Sequence, residues 1–246
     1  MAGPEPVIGA SPSPGRSNLA LRVISSALLA PLTIFVAWVG GLAFVAFWTI
    51  AASIVLWEWA GLVKSPAGPR ALGAFAGWMV AGLLYAGALL LAPILLRRDP
   101  ALGFPALLFL FAIVWATDIA AYFAGRAIGG PKLWPAVSPK KTWSGAVGGA
   151  LGAVVAGLTL VKLAGLAVAP ALVLVAFVLS VVAQAGDLLE SAIKRHFGAK
   201  DSSGLIPGHG GLMDRLDGFL TAAAAAVMVG LARGGLEGPA RGLLIW

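Results

Sequence analysis

Seven apolar runs, each about as long as a bilayer's hydrocarbon core is thick, occupy most of this chain. They fall at residues 21–39, 41–63, 71–96, 105–125, 145–168, 170–190 and 218–236. A helix needs about 20 apolar residues to cross that core. Within it, every backbone N–H and C=O must find a partner inside the protein. The sequence therefore predicts an all-α, polytopic transmembrane helical bundle of about seven to nine spans. A mean hydropathy of +0.95, with 60% hydrophobic and 11% charged residues, excludes an ordinary soluble domain. The span count turns on 71–96. There Gly82, Gly87 and Pro93 admit either one kinked helix or two short ones, because proline removes an intrahelical hydrogen bond.

Residues 1–18 are rich in Pro, Gly and Ser and read as a disordered tail rather than a signal peptide. The spans in 19–104 look like plain apolar helices with interfacial tryptophans, and Glu58, between Trp57 and Trp59, is placed at a membrane boundary. The polar chemistry is concentrated in 105–246. The chain has no cysteine and two histidines, so a metal here would be held by oxygen ligands. No internal repeat of the transporter kind is visible. The polar segments 117–145 and 185–218 are separated by two hydrophobic runs, so both return to the same face of the membrane. Both are basic, which predicts that this face is cytoplasmic. If 71–96 is one helix, Lys64 and Arg70 share that face and Arg97 and Arg98 lie on the other. The net charge of +7 has a plain reading as anchoring beside anionic headgroups.

Four stretches carry candidate chemistry. In GDLLESAIKRH, Asp187, Ser191 and Lys194 stand at i, i+4 and i+7 on one helical stripe, with Glu190 beside them. Asp187 follows a long apolar run, and a carboxylate at that depth must be paired, hydrated or metal-bound. It serves either a functional site or a structural ion pair with Lys194 or Arg195. TDIAAYFAGR repeats the pattern with Asp118, Tyr122 and Gly125, followed by Arg126. In PGHGGLMDRLDGF, glycines let the backbone approach a phosphate closely. Asp214 and Asp217 then share one face of a starting helix, with Arg215 pointing elsewhere. Acids in a first helical turn also suit the helix dipole. SPKKTWSG offers Ser138, Lys140, Lys141 and Thr142 either as a patch for anionic lipid or as a phosphate clamp beside a carboxylate–metal site. Together these stretches describe a hard-cation and phosphate site, with a nucleotide and an anionic lipid as substrates.

The stretch SAIKRHFGAKDSSGLIPGHGGLMDRLD, 191–217, resembles the C-terminal signature of the phosphatidate cytidylyltransferases, or CDP-diacylglycerol synthases. The likeness extends to GDLLES, DIAAYFAGR and SPKKTWSG, and more loosely to RVISSALLAPLTIFVAWVGG and WEWAGL. One departure is Ser144, where the family commonly has Glu. The resemblance implies a Mg²⁺-dependent reaction of CTP with phosphatidic acid that gives CDP-diacylglycerol and pyrophosphate for phospholipid synthesis. It also implies a homodimer among membrane lipids of a bacterial inner membrane, with no nucleic-acid partner. By the same resemblance Asp187 and Asp214 are metal ligands, with Asp217 and Asp118 as further ones and room for a second cation. Ser191, Lys194 and Arg195 are expected at substrate phosphate. Lys140, Lys141, Lys200 and Arg215 are expected at CTP or the lipid head, and His209 at the turn or a phosphate. Rival readings are a CTP-dependent enzyme acting on another lipid phosphate or a lipid alcohol, and an ion-coupled transporter.

Overall fold

The computed structural model describes residues 14–206 and 210–246, with side chains described from Ala27 onward. Eight helices follow one another: α1 (Pro14–Val39), α2 (Gly41–Val63), α3 (Leu72–Arg97), α4 (Gly103–Ile128), α5 (Trp143–Leu163), α6 (Pro170–His196), α7 (Met213–Gly234) and the short α8 (Pro239–Leu244). Six of them, α2 to α7, are long and apolar enough to cross a membrane. The 26 residues of α1 have the length, with an apolar described portion at Ala27–Val39. It starts at Pro14, inside the tail predicted from sequence; residues 1–13 lie outside the described residues.

The ambiguity over 71–96 resolves to a single helix, α3, with Pro93 in its last turns. Both polar segments therefore lie at one end of the bundle, together with the C-terminus of α2 and the N-terminus of α3 that carry Lys64 and Arg70. The all-α expectation is modified by one hairpin. β1 (Lys132–Trp134) pairs antiparallel with β2 (Ser138–Thr142) between α4 and α5. Prolines 131, 135 and 139 read as turns from sequence, and the pairing depends on α4 and α5 holding the hairpin's two ends together.

The tightest seam is α4 against α5. A Cβ on Gly148 would come within 2.3 Å of the Ala124 methyl, one on Gly152 within 2.5 Å of Ala120, and one on Gly149 within 2.9 Å of the Thr117 carbonyl. Small residues allow this backbone approach, which drives helix association in lipid through van der Waals contact. Between α4 and α6, the buried hydroxyls of Thr117 and Ser180 lie 2.7 Å apart. α7 packs centrally: Phe219 stacks on Trp48 of α2 with centroids 5.1 Å apart and also meets Phe111 of α4. At the end away from the polar segments, Arg97 donates to the carbonyls of Ala37 (2.7 Å) and Trp38 (3.2 Å). There too, Arg233 donates to the carbonyls of Gly242 and Ile245 and lies 3.5 Å over the Trp246 ring. Cationic groups thus satisfy carbonyls that have no partner within their own helices.

Candidate active site

A cavity of about 240 Å³ opens where α4, α6 and α7 meet at the polar end, and all of its lining residues are charged: Asp118, Asp187, Lys194, Asp201, Asp214, Arg215 and Asp217. Asp118 lies ten residues before the end of α4, and Asp187 nine before the end of α6. At 1.5 Å per residue, both are roughly 15 Å along their helices from the polar ends. Asp214 and Asp217 enter from the first turns of α7. Five carboxylates therefore face two cations across one small space. A charge excess at this depth calls for a further cation.

The carboxylates are not equivalent. Lys141, at the end of the hairpin, forms an ion pair with Asp187, whose other oxygen is 3.4 Å from the Ser191 hydroxyl. The partner of Asp187 is thus this lysine, distant in sequence, rather than Lys194 or Arg195. Lys194 bonds to Asp214 and lies 2.7 Å from Glu190, which is fully buried. Asp214 is heavily engaged, accepting from the Gly211 N–H (2.7 Å), the Ser202 N–H (3.0 Å) and the Ser202 hydroxyl (3.0 Å). It ties Ser202 and Gly211 to the start of α7 while facing the cavity. Among the described residues Asp217 accepts only from the N–H of Gly218 (2.7 Å) and Asp118 has no hydrogen-bonding partner. These last two carboxylates are the ones left open to a ligand.

Other residues singled out from sequence are placed less centrally. Arg215 lines the cavity together with both aspartates rather than pointing away from them. Thr142 is the N-cap of α5, its hydroxyl accepting from Gly145 N–H at 3.1 Å, which is a helix-starting role. Ser138 and Lys140 stand on β2, with Lys140 exposed. Arg195 is exposed and donates to the Ala199 carbonyl at 2.7 Å, and Lys200 is exposed. His209 lies outside the described residues. Ser144, the departure from the family pattern, bonds to the carbonyl of Gly129 at the end of α4 and so closes the base of the hairpin.

Two site residues were not anticipated. Asp201 lines the cavity directly. Glu58, read as an interfacial residue of α2, is 1% exposed and collects hydrogen bonds from the loop beside the cavity. The rule that flagged Asp118 and Asp187, that a carboxylate in an apolar helix must be satisfied by something, applies to Glu58 equally.

The model of the "Cytidylyltransferase family" matches residues 65–232, which include every residue lining the cavity. This chain belongs to that family. The phosphatidate cytidylyltransferase of Brucella suis biovar 1 (strain 1330) is 41% identical over 253 aligned residues, covering 87% of this chain and 94% of the relative. That of Brucella abortus (strain 2308) matches to the same extent. The phosphatidate cytidylyltransferase of Staphylococcus epidermidis (strain ATCC 12228 / FDA PCI 1200) is 48% identical over 119 residues, 48% of this chain and 46% of the relative. Membership makes the protein a nucleotidyltransferase of the membrane-spanning kind.

Proposed function

We propose that this protein transfers the cytidylyl group of CTP to phosphatidic acid, releasing pyrophosphate and forming CDP-diacylglycerol. The observation that carries this reading is the convergence of Asp118, Asp187, Lys194, Asp214, Arg215 and Asp217 on one cavity toward the polar end of the bundle. The names of its relatives support it.

A phosphatidate oxygen attacks the α-phosphorus of CTP, the bond to the β-phosphate oxygen breaks, and pyrophosphate leaves with the electron pair. Two anions must be brought together and their charge neutralised, and no covalent nucleophile from the protein is needed. Lys194 and Arg215 sit in the cavity wall, placed to meet phosphate oxygens. Lys141 reaches the same wall through Asp187. Exposed Lys140 is placed on the hairpin rim to attract an anionic headgroup or the nucleotide.

The donor set fits a hard divalent cation. Asp217 and Asp118 have carboxylate oxygens without protein donors, and Asp187 stands with them at the cavity. Among the described residues no group of three or more carboxylates or histidines stands close enough to hold a metal ion by itself, so water and substrate phosphates would have to complete the shell of a Mg²⁺ bound here through one or two carboxylates. Asp187, Asp214, Asp217 and Asp118 are the proposed holders: Asp118 and Asp217 offer open oxygens, whereas Asp187 would share its oxygens with Lys141 and Asp214 with Lys194, Ser202 and Gly211. When bound, such a cation polarises phosphoryl oxygens and offsets charge developing on pyrophosphate.

Lys64, Arg70, Lys132, Lys140, Lys194 and Lys200 all lie at the site end, which supports a cytoplasmic orientation in a bacterial inner membrane. The family resemblance supports a homodimer.

The test is pyrophosphate release by the purified protein in detergent micelles, with CTP, phosphatidic acid and Mg²⁺ omitted in turn. Release that requires all three and is lost in Asp214→Asn is the expected result. No release from a folded protein would redirect the reading to other lipid phosphates.

A further inference from the structure

We propose that Glu58 of α2 is a positioning residue for the active site, holding together the limbs 201–206 and 210–212 so that Asp214 and Asp201 are presented to the cavity. The inference rests on the reading of that cavity as the site of cytidylyl transfer.

Glu58 does not line the cavity and stands outside the residues matched by the family model. Its carboxylate is 1% exposed and has no ion-pair partner among the described residues. A buried carboxylate of this kind survives only when its acceptor sites are filled. Here Ser203 Oγ (2.6 Å) and Leu212 N–H (2.9 Å) donate to Oε1 and Met213 N–H (2.7 Å) donates to Oε2, and the fourth donor is the Ser202 hydroxyl, whose single proton serves either Oε2 (3.1 Å) or Asp214.

The four donors come from both limbs of one loop. Ser202 and Ser203 lie on the limb leaving α6, and Leu212 and Met213 at the entry to α7. The two N–H groups belong to the first turn of α7, where helix donors are unpartnered and the dipole favours negative charge. A single side chain thus cross-ties the loop at its base. Asp214 makes a parallel tie through Ser202 and Gly211, and Ser202 Oγ lies 3.0 Å from Asp214 Oδ2 and 3.1 Å from Glu58 Oε2. Only one hydroxyl therefore separates Glu58 from a cavity carboxylate. The packing leaves no slack: a Cβ on Gly211 would stand 2.5 Å from Glu58 Oε1 and 2.0 Å from Ser202 Oγ.

Glutamine keeps the shape of Glu58 and breaks the tie. Its one carbonyl oxygen serves two donors, and its amide NH₂ is set against the other donors. The chain has no cysteine, so a nitroxide on Leu205→Cys, at an exposed position in the loop, reports loop motion alone. A second label on Leu163→Cys, exposed at the opposite end, serves as control. In the full chain in detergent, Glu58→Gln is expected to mobilise the label at 205 and not the label at 163. The unfolding midpoint should stay within a few degrees, while kcat/KM for CTP falls about tenfold or more. Ser203→Ala, which removes one donor outside the cavity, should shift both readouts the same way by less.

An unchanged spectrum at 205, or a mobilised loop with undiminished kcat/KM, would overturn the proposal. Mobilisation of both labels together with a lowered midpoint would overturn it too, because Glu58 would then be a general folding residue. The label experiment needs no substrate, so it judges the brace even if cytidylyl transfer itself were not observed.

Discussion

The two ends of this bundle use charge in opposite ways. At the end away from the cavity, Arg97 and Arg233 each cover a pair of carbonyls where helices finish. At the other end the groups are carboxylates gathering N–H donors where α7 begins: Glu58 takes those of Leu212 and Met213, and Asp214 takes that of Gly211. Both are responses to the same need, since a helix leaves several donors at its start and several acceptors at its finish. They differ in what is left over. Among the described residues Arg97 and Arg233 are occupied by the chain itself, whereas Asp118, Asp217 and Arg215 face a cavity. Charge fully absorbed by backbone marks structure, and charge in excess of its partners marks the place where something else binds.

That contrast can be broken most forcefully at the cavity. Asp187→Asn, Asp214→Asn and Asp217→Asn should each lower turnover by at least about a hundredfold, with helical content by circular dichroism unchanged. Near wild-type pyrophosphate release in any of them would remove that residue from the working site. Next in size is Gly211→Val, whose Cβ has no room beside Ser202 and Glu58. It should cost most of the activity, while Gly61→Ala, where a Cβ meets nothing within 4 Å, should behave as wild type.

The opposite end sharpens the comparison through stability instead. Arg97→Ala leaves two carbonyls without their donor and should destabilise by about 2 kcal/mol, read as a lowered unfolding midpoint with activity per folded molecule retained. A loss of specific activity equal to that of the aspartate variants would erase the division between the ends. Lys140→Ala, on the exposed rim, should raise the apparent KM for CTP or phosphatidate severalfold and leave the unfolding midpoint alone. The smallest effect is expected from Trp246→Ala, which removes the ring under Arg233. Contacts of that kind contribute about 0.5–1 kcal/mol at exposed sites, visible only in a careful thermal comparison.

The spans were legible in the sequence because the bilayer imposes a length and an apolar composition that few other environments demand. Asp118, Asp187, Asp214 and Asp217 were legible for the complementary reason, that charge beside such runs has to be accounted for. Which groups account for it was not. Lys141 lies 46 residues from Asp187, and Ser202 lies 144 from Glu58, so no periodicity links them. The hairpin was hidden because SPKKT has weak strand propensity and pairs only when its flanking helices meet. Pro93 left α3 undecided for a local reason: where a missing N–H falls near a helix end, neighbours supply the lost bond and the helix continues.

The glycine–alanine seam between α4 and α5 also bears on the order in which the protein is built. These helices are adjacent in the chain, joined only by the hairpin, and in backbone-close contact. Contacts between near neighbours in sequence form early because little chain entropy opposes them. The pair can therefore zip together in the membrane before α6 and α7 have been synthesised, with Lys141 presented at its tip. Asp187, Asp214 and Asp217 arrive later on those helices, and Asp187 comes into a half-site whose cation, Lys141, is already in place.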